Sequence, residues 1–209
     1  MIAVILAVIC AYLVGAIPFA YIFGKLIGGI DVREHGSGNV GATNIARTIG
    51  KGPGVAVFVL DLLKGTVAVT LIPAIFGRVF PGFMEGRQYA LILLGGAAIA
   101  GHIWTVFLNF KGGKGVSTTA GVMVGLDPVI FVCAMVIWAV VFFVWKYVSV
   151  ASIAAAVALP LLAVLTGKDF SFTLFCAVLC MVGVYAHRGN IKRLINGTET
   201  RIVKAEKSQ

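Results

Sequence analysis

Residues 115–126 read GVSTTAGVMVGL, Gly115 through Leu126, and run straight into Asp127-Pro128. The stretch is apolar enough for a membrane yet only about 12 residues long, where a spanning helix takes roughly 20. It reads as a short helix or a re-entrant piece. Whether it crosses sets the side of the membrane on which every later loop lies, and therefore the fold.

Working outward, six longer apolar runs surround it: Ile2 to Ile27, Pro53 to Phe76 (interrupted by Asp61 and Lys64), Gln88 to Phe110, Pro128 to Trp145, Tyr147 to Leu165, and Phe170 to Ala186. Basic residues collect on the cytoplasmic side of a membrane protein, so charge can decide the crossing. If the short stretch crosses, one side receives Lys25, Arg33, Arg47, Lys51, Lys111, Lys114, Lys146 and the six basic residues from Arg188 to Lys207, thirteen of the 17. The other side receives Arg78, Arg87 and Lys168, and Lys64 lies within a span. If it does not cross, the split is seven against nine. The expected fold is all-α integral membrane: a seven-transmembrane-helix bundle with one short helix, N-terminus outside and C-terminus cytoplasmic. Residues 1–209 are expected to form a single membrane-embedded domain.

Composition supports this placement. With 60% hydrophobic and 12% charged residues the chain is no soluble globule, in which about a quarter of residues are charged. The net charge of +9 therefore points to membrane orientation and to anionic lipids or substrates, not to nucleic acid. Cys10, Cys133, Cys176 and Cys180 sit in apolar runs with no CxxC pair, and read as small hydrophobes. No His, Cys or carboxylate group has metal-ligand spacing, so neither metal nor cofactor is expected. The N-terminal run lacks a basic flank and is longer than a signal core, which argues against a cleaved signal.

Three Gly-rich polar clusters share the basic face under this topology: 36–51, 110–119 and 187–201. They can converge on one site. The first reads GSGNVGATNIAR from Gly36 to Arg47. It matches GxGxxG by letters, but no strand precedes it, so a dinucleotide fold is not supported. Its physics still suits an anion: glycines let backbone N–H groups converge, Ser37, Asn39, Thr43 and Asn44 add donors around Gly41, and Arg47 supplies a planar fork. The alternative is a Gly/Asn loop without a ligand.

The second cluster is GHIW from Gly101, then FKGGKGVSTT from Phe110. A nucleotide P-loop is excluded because Lys114 is followed by Gly115 and not by Ser or Thr. Lys111 and Lys114 with Gly112, Gly113 and Gly115 open a helix at Val116, and a helix start carries unsatisfied N–H groups. Either lysine alone also suits a headgroup anchor. Two anion sites imply a substrate with two phosphates or two phosphorylated substrates.

The third cluster is HRGNIKRLINGTE, His187 to Glu199. His187 follows the last span at interface depth, where an imidazole can meet a phosphate or merely sit. Glu199 can orient a neighbouring cation. Ser149 reads as a helix cap or a further donor, and His35 and His102 as structural residues. Asp61 and Lys64, three apart on one helical face, read as an ion pair or as a device orienting the site.

These clusters, in this order and spacing, resemble the three motifs of the bacterial acyl-phosphate:glycerol-3-phosphate acyltransferases, integral membrane enzymes that make 1-acyl-glycerol 3-phosphate. GSGNVGATNIART, GHIWTVFLNFKGGKGVST and HRGNIKRLINGTE carry the resemblance, together with Asp61-Leu62-Leu63-Lys64-Gly65. It runs from the first span to Glu199. One departure is Thr105, where the family is expected to carry a proline that shapes a helix bend.

The resemblance implies glycerol 3-phosphate and a long-chain acyl phosphate as substrates, with no acyl-CoA or acyl carrier protein as direct donor. Ser37, Arg47, Lys111, Ser149, His187 and Asn190 would hold glycerol 3-phosphate, with Ser37, Arg47, Lys111 and His187 the catalytic set. Asn39, Gly41, Thr43, Asn44 and Gly112, Gly113, Lys114, Gly115 would receive the acyl phosphate head. Asp61, Lys64 and Glu199 would support the site. It also implies a multi-pass protein of the bacterial cytoplasmic (inner) membrane with its site at the cytoplasmic face.

An acyl phosphate is a mixed anhydride whose phosphate leaves readily, so proximity and electrostatic stabilisation suffice without a covalent nucleophile. The glycerol 1-hydroxyl is expected to attack the acyl carbonyl directly, its proton passing to His187 or to a substrate phosphate oxygen. The rival reading is a secondary transporter for an organic phosphate, since Gly-broken helices aimed at an anion also serve transport. Against it, residues 1–105 and 106–209 show no repeat, and the clusters lie on one face.

Overall fold

The computed structural model describes residues 2–83 and 86–201, so Lys204 and Lys207 of the charge count lie outside the described residues. Among the described residues every regular element is helical. The helices are α1 Ile2–Ala16, α2 Phe19–Gly28, α3 Ala42–Thr48, α4 Lys51–Val79, α5 Arg87–Ile103, α6 Val116–Leu126, α7 Pro128–Trp145, α8 Val148–Leu165, α9 Phe170–Ala186 and α10 Arg188–Ile195, with a 3-10 turn at Val106–Leu108. Five helical runs are long and apolar enough to cross a membrane, or six if α9 and α10, bent by 54°, form one span. α6 is a shorter apolar helix. The outward side chains of these runs, such as Val132, Val136, Val140 and Phe143 on α7, are apolar, as lipid contact requires.

Two of the expected spans differ in detail. The first is broken at Ile17-Pro18 into α1 and α2, because Pro18 brings no N–H and pushes Ile17 out of the helical region. Pro73 and Pro160 sit inside α4 and α8 without ending them. At Pro18 the carbonyls released by the break have partners: Thr105 Oγ1 donates to Ala16 O at 2.6 Å and Lys64 Nζ donates to Ile17 O at 2.8 Å. The third run, expected to Phe110, leaves the α-helix after Ile103. Thr105 stands where a bending proline was expected, and its side chain does the shaping, because Oγ1 also accepts from Phe107 N.

The described residues form two compact units, one up to Pro128 and one from Val129 onward. In the first, α1 lies against α5 and α4 against α6 at backbone distance. A methyl on Gly121 would run into Leu62 O, and one on Gly65 into Thr118 O. Within lipid the hydrophobic effect does not drive helices together, so close approach through small residues and interhelical hydrogen bonds must do so. Thr66 Oγ1, donating to Gly121 O at 2.9 Å, is such a bond. Ala7, Ala11, Leu94 and Ala98 with Ala68 and Ile72 form one apolar core of this unit, and Val32, Val40, Ile45 and Val57 another beneath the first polar cluster.

In the second unit α8 and α9 pack side by side, and Trp138 Nε1 on α7 donates to Ser152 Oγ on α8 at 3.2 Å. Asp169 caps α9 by accepting from Phe172 N at 2.8 Å, the expected role of Asp at a helix start. α10 is short and basic, and the chain after it turns back so that Arg201 Nε reaches Tyr147 OH at 2.9 Å.

Candidate functional site

The first cluster is a loop wound around one side chain. Asn44, in the first turn of α3, is 1% exposed and points back into residues 32–39. Its Oδ1 accepts from Ser37 N at 2.9 Å, and its Nδ2 donates to Val32 O, His35 O and Asn39 O at 3.0, 3.0 and 3.1 Å. The carboxamide expected to face an anion is therefore committed to the loop. Ser37 and Arg47 are exposed, while Asn39, Gly41 and Thr43 are half-buried. Arg33, the loop's other guanidinium, is held by Asp31 through bonds of 2.7 and 3.0 Å. That side-chain bond holds the half-buried Asp31 carboxyl well below the ordinary range.

The second cluster caps a helix end. Gly112 N donates to Ile103 O at 3.0 Å and Gly113 N to His102 O at 3.1 Å, satisfying the last carbonyls of α5. Only glycine fits so close. A methyl on Gly112 would strike His102 O, and one on Gly113 would strike His102 Nε2 and Val40 O. These two amides are thus spent within the protein, and the amides that remain for an anion are those opening α6 from Gly115 onward. Before the turn, Asn109 and Phe110 both adopt positive φ, 52° and 60°, a conformation non-glycine residues rarely take. They reverse the chain and leave Lys111 exposed, with Lys114 half-buried.

Beneath this turn is a buried polar group that the sequence marked only in part. Asp61 and Lys64 form the expected ion pair, Oδ1 to Nζ 2.7 Å, each side chain 3% exposed. His102 joins them: its Nδ1 is 3.1 Å from Thr118 Oγ1 and 3.6 Å from Asp61 Oδ1, the latter too long for a hydrogen bond but within reach of the charge. Lys64 Nζ at 2.7 Å is the close partner of Asp61 Oδ1, which is held chiefly by the charge beside it. Residues Lys64, Asp61, His102, Thr105, Gly112 and Gly113 line a small cleft beside the Pro18 break. His102 fits the structural role expected of it. Its place in this network was not legible, since Thr118 and Asp61 lie on other helices.

The third cluster is organised by Glu199. Its Oε1 accepts from Ser149 Oγ at 2.8 Å and Asn190 Nδ2 at 2.7 Å, and its Oε2 from Arg193 Nε at 2.7 Å. Burial pushes this carboxyl up, yet the bonds from Asn190, Ser149 and Arg193 outweigh it and hold it below its ordinary value. Ser149 therefore serves Glu199 and does not cap α8. His187 is 3% exposed, and its Nδ1 lies 2.8 Å from Gly183 O. A carbonyl only accepts, so Nδ1 carries the proton and the lone pair of the neutral ring is on Nε2. Among the described residues no group of three His, Cys, Asp or Glu side chains is arranged to hold a metal.

The family model for glycerol-3-phosphate acyltransferase matches residues 5–197. A glycerol-3-phosphate acyltransferase of Desulforudis audaxviator is 45% identical over 199 residues, covering 95% of this chain and 96% of the relative. One from Chlorobium phaeobacteroides is 42% identical over 229 residues, covering 97% of each. The crystal structure of PlsY (YgiH), an integral membrane glycerol 3-phosphate acyltransferase, in its glycerol 3-phosphate form superposes with a TM-score of 0.86 at 38% identity over 96% of each chain. Its lysophosphatidic acid form gives 0.82 at the same identity, covering 96% of this chain and 95% of that one.

Proposed function

We propose, from the premise that this chain belongs to the glycerol-3-phosphate acyltransferase family, that it transfers the acyl group of a long-chain acyl phosphate to the 1-hydroxyl of sn-glycerol 3-phosphate, as the first acylation of phospholipid synthesis. The observation that carries the reading is the likeness, along 96% of the chain, to an acyltransferase whose crystal structure is a glycerol 3-phosphate form. In the reaction the glycerol oxygen forms a new ester bond to the acyl carbon, the acyl–phosphate bond breaks, and inorganic phosphate leaves. No acyl-enzyme forms. The hydroxyl proton goes to His187 Nε2 or to a phosphate oxygen; the Nδ1-protonated ring supports the first.

Ser37, Arg47, Lys111, Ser149, His187 and Asn190 hold glycerol 3-phosphate in this reading. Ser149 Oγ–H and Asn190 Nδ2 both donate to Glu199, which fixes the orientation of these two side chains. Arg47, Lys111 and Lys114 meet the phosphates. The acyl phosphate head takes donors from Asn39 and Thr43 and from the amides opening α6, while Gly112, Gly113 and Asn44 shape the two loops. Direct donation by acyl phosphate, without acyl-CoA or acyl carrier protein, belongs to the same proposal. So do one acyltransferase domain with seven crossings, an outside N-terminus, a cytoplasmic C-terminus and a site on the cytoplasmic face of the bacterial inner membrane.

Purified protein supplied with acyl phosphate and glycerol 3-phosphate is expected to release phosphate only when both are present. Glycerol 3-phosphate binding without turnover would instead favour the carrier reading. Acyl-CoA supporting the same rate would overturn the donor assignment, and a trapped acyl-Ser37 the direct transfer.

A further inference from the structure

We propose that Asn44 is a positioning residue that acts through Ser37, and not a ligand of the acyl phosphate. The inference deepens the reading above and rests on its placement of Ser37 at glycerol 3-phosphate.

The amide of Ser37 is fixed by a single side chain across seven residues of sequence: Asn44 Oδ1 accepts it at 2.9 Å. The orientation of that carboxamide is not arbitrary. Three carbonyls, of Val32, His35 and Asn39, crowd its other end at 3.0–3.1 Å, and carbonyls demand a donor there. Two N–H hydrogens shared over three acceptors leave nothing to rotate toward a ligand. Asn44 is itself anchored, because its backbone N donates to Gly41 O at 3.0 Å and its carbonyl accepts from Thr48 Oγ1 at 2.8 Å. A glycine is also required opposite the contact: at Gly36, φ 62°, an added methyl would fall on Asn44 Oδ1. The result is an exposed serine on a loop whose backbone is held from inside by a buried hub. Such a hub matters to catalysis because a reacting group displaced by about 1 Å can cost on the order of 100-fold in rate.

The test is a double-mutant cycle of Ser37→Ala and Asn44→Ala, with kcat and KM measured separately for each substrate and thermal midpoints recorded in the same detergent. Both single variants are expected to lower kcat/KM for glycerol 3-phosphate, Asn44→Ala by roughly 10- to 100-fold. Its KM for acyl phosphate should change less than that for glycerol 3-phosphate, the residual change coming through Asn39, whose carbonyl Asn44 also holds. The double variant should fall no further than Ser37→Ala alone, within about twofold, since a residue that acts through Ser37 has nothing left to act on. Losses that multiply in the double variant, a parent-like Asn44→Ala, or a KM effect confined to acyl phosphate would each overturn the proposal. Parent rates for Ser37→Ala would overturn the site reading, and this proposal with it. Should Asn44→Ala not survive purification, Gly36→Ala carries the same cycle, because its methyl would fall on Oδ1 and push the whole carboxamide out of place. A silent or multiplicative Gly36→Ala would be equally decisive against.

Discussion

Asp61 and Glu199 are both half of an ion pair, and they are held in opposite ways. Asp61 lies inside α4 with the Lys64 ammonium at 2.7 Å and His102 at 3.6 Å, both side chains of the ion pair 3% exposed. Glu199 lies in the polar segment after α10 and accepts three side-chain hydrogen bonds of 2.7–2.8 Å. The first carboxylate depends on the charge beside it. The second depends on direction, and it passes that direction on to Ser149 and Asn190. One lies beside the Pro18 break, where Lys64 also reaches Ile17 O, and the other arranges Ser149, Asn190 and Arg193 around itself.

The largest effect should come from breaking the interior pair. Asp61→Asn or Lys64→Met leaves a buried charge without its partner, a loss of roughly 3–5 kcal/mol. The double variant should lose less than the two single losses added together, and additive losses in a denaturation series would show that the pair is not coupled. Glu199→Gln keeps the shape but removes the charge and turns an amide donor either to Arg193 or to Ser149 and Asn190. We expect roughly 1.5–3 kcal/mol of destabilisation, the scale of hydrogen bonds to a charged group, with a raised KM for glycerol 3-phosphate. A stable variant with unchanged KM would remove Glu199 from any positioning role.

Acidification separates the two further. Glu199 titrates below its ordinary 4.5 in the folded protein, so its contribution is complete above that pH and drains away as pH falls through the lower folded value. The stability gap between the parent and Glu199→Gln should therefore narrow below about pH 4.5 and stay constant above it, as melting curves across that range will show. The smallest effect belongs to Asp31. Its pair with Arg33 is partly open to solvent, 38% at the arginine and 11% at the carboxylate, so Asp31→Asn should lower the thermal midpoint less than Glu199→Gln does. A loss matching that of Glu199→Gln would mean the loop is held from its surface and not by Asn44.

Much of this architecture was readable from local chemistry. α7 and α9 begin and end where their apolar runs do, Pro128–Trp145 and Phe170–Ala186, because nothing polar or kinked interrupts them. The start of α6 at Val116 followed from the glycines and lysine before it. The Asp61–Lys64 pair followed from spacing on one helical turn. What escaped were the break after Ile17, the use of Gly112 and Gly113 amides to close α5, and the inward turn of Asn44. The donors that settle the first lie far off in sequence: Lys64 reaches back 47 residues to Ile17 O, and Thr105 reaches back 89 to Ala16 O.

The same division separates what the chain determined alone from what the tertiary structure decided. Composition, apolar run length and three polar clusters were enough to specify a helical membrane protein and its family, because burial in lipid and the pairing of charge act locally. Which donors in those clusters face a ligand was decided only by packing. A backbone amide or carboxamide can serve the protein or the substrate, and the folded chain had already spent those of Gly112, Gly113 and Asn44 on its own carbonyls and loop amide.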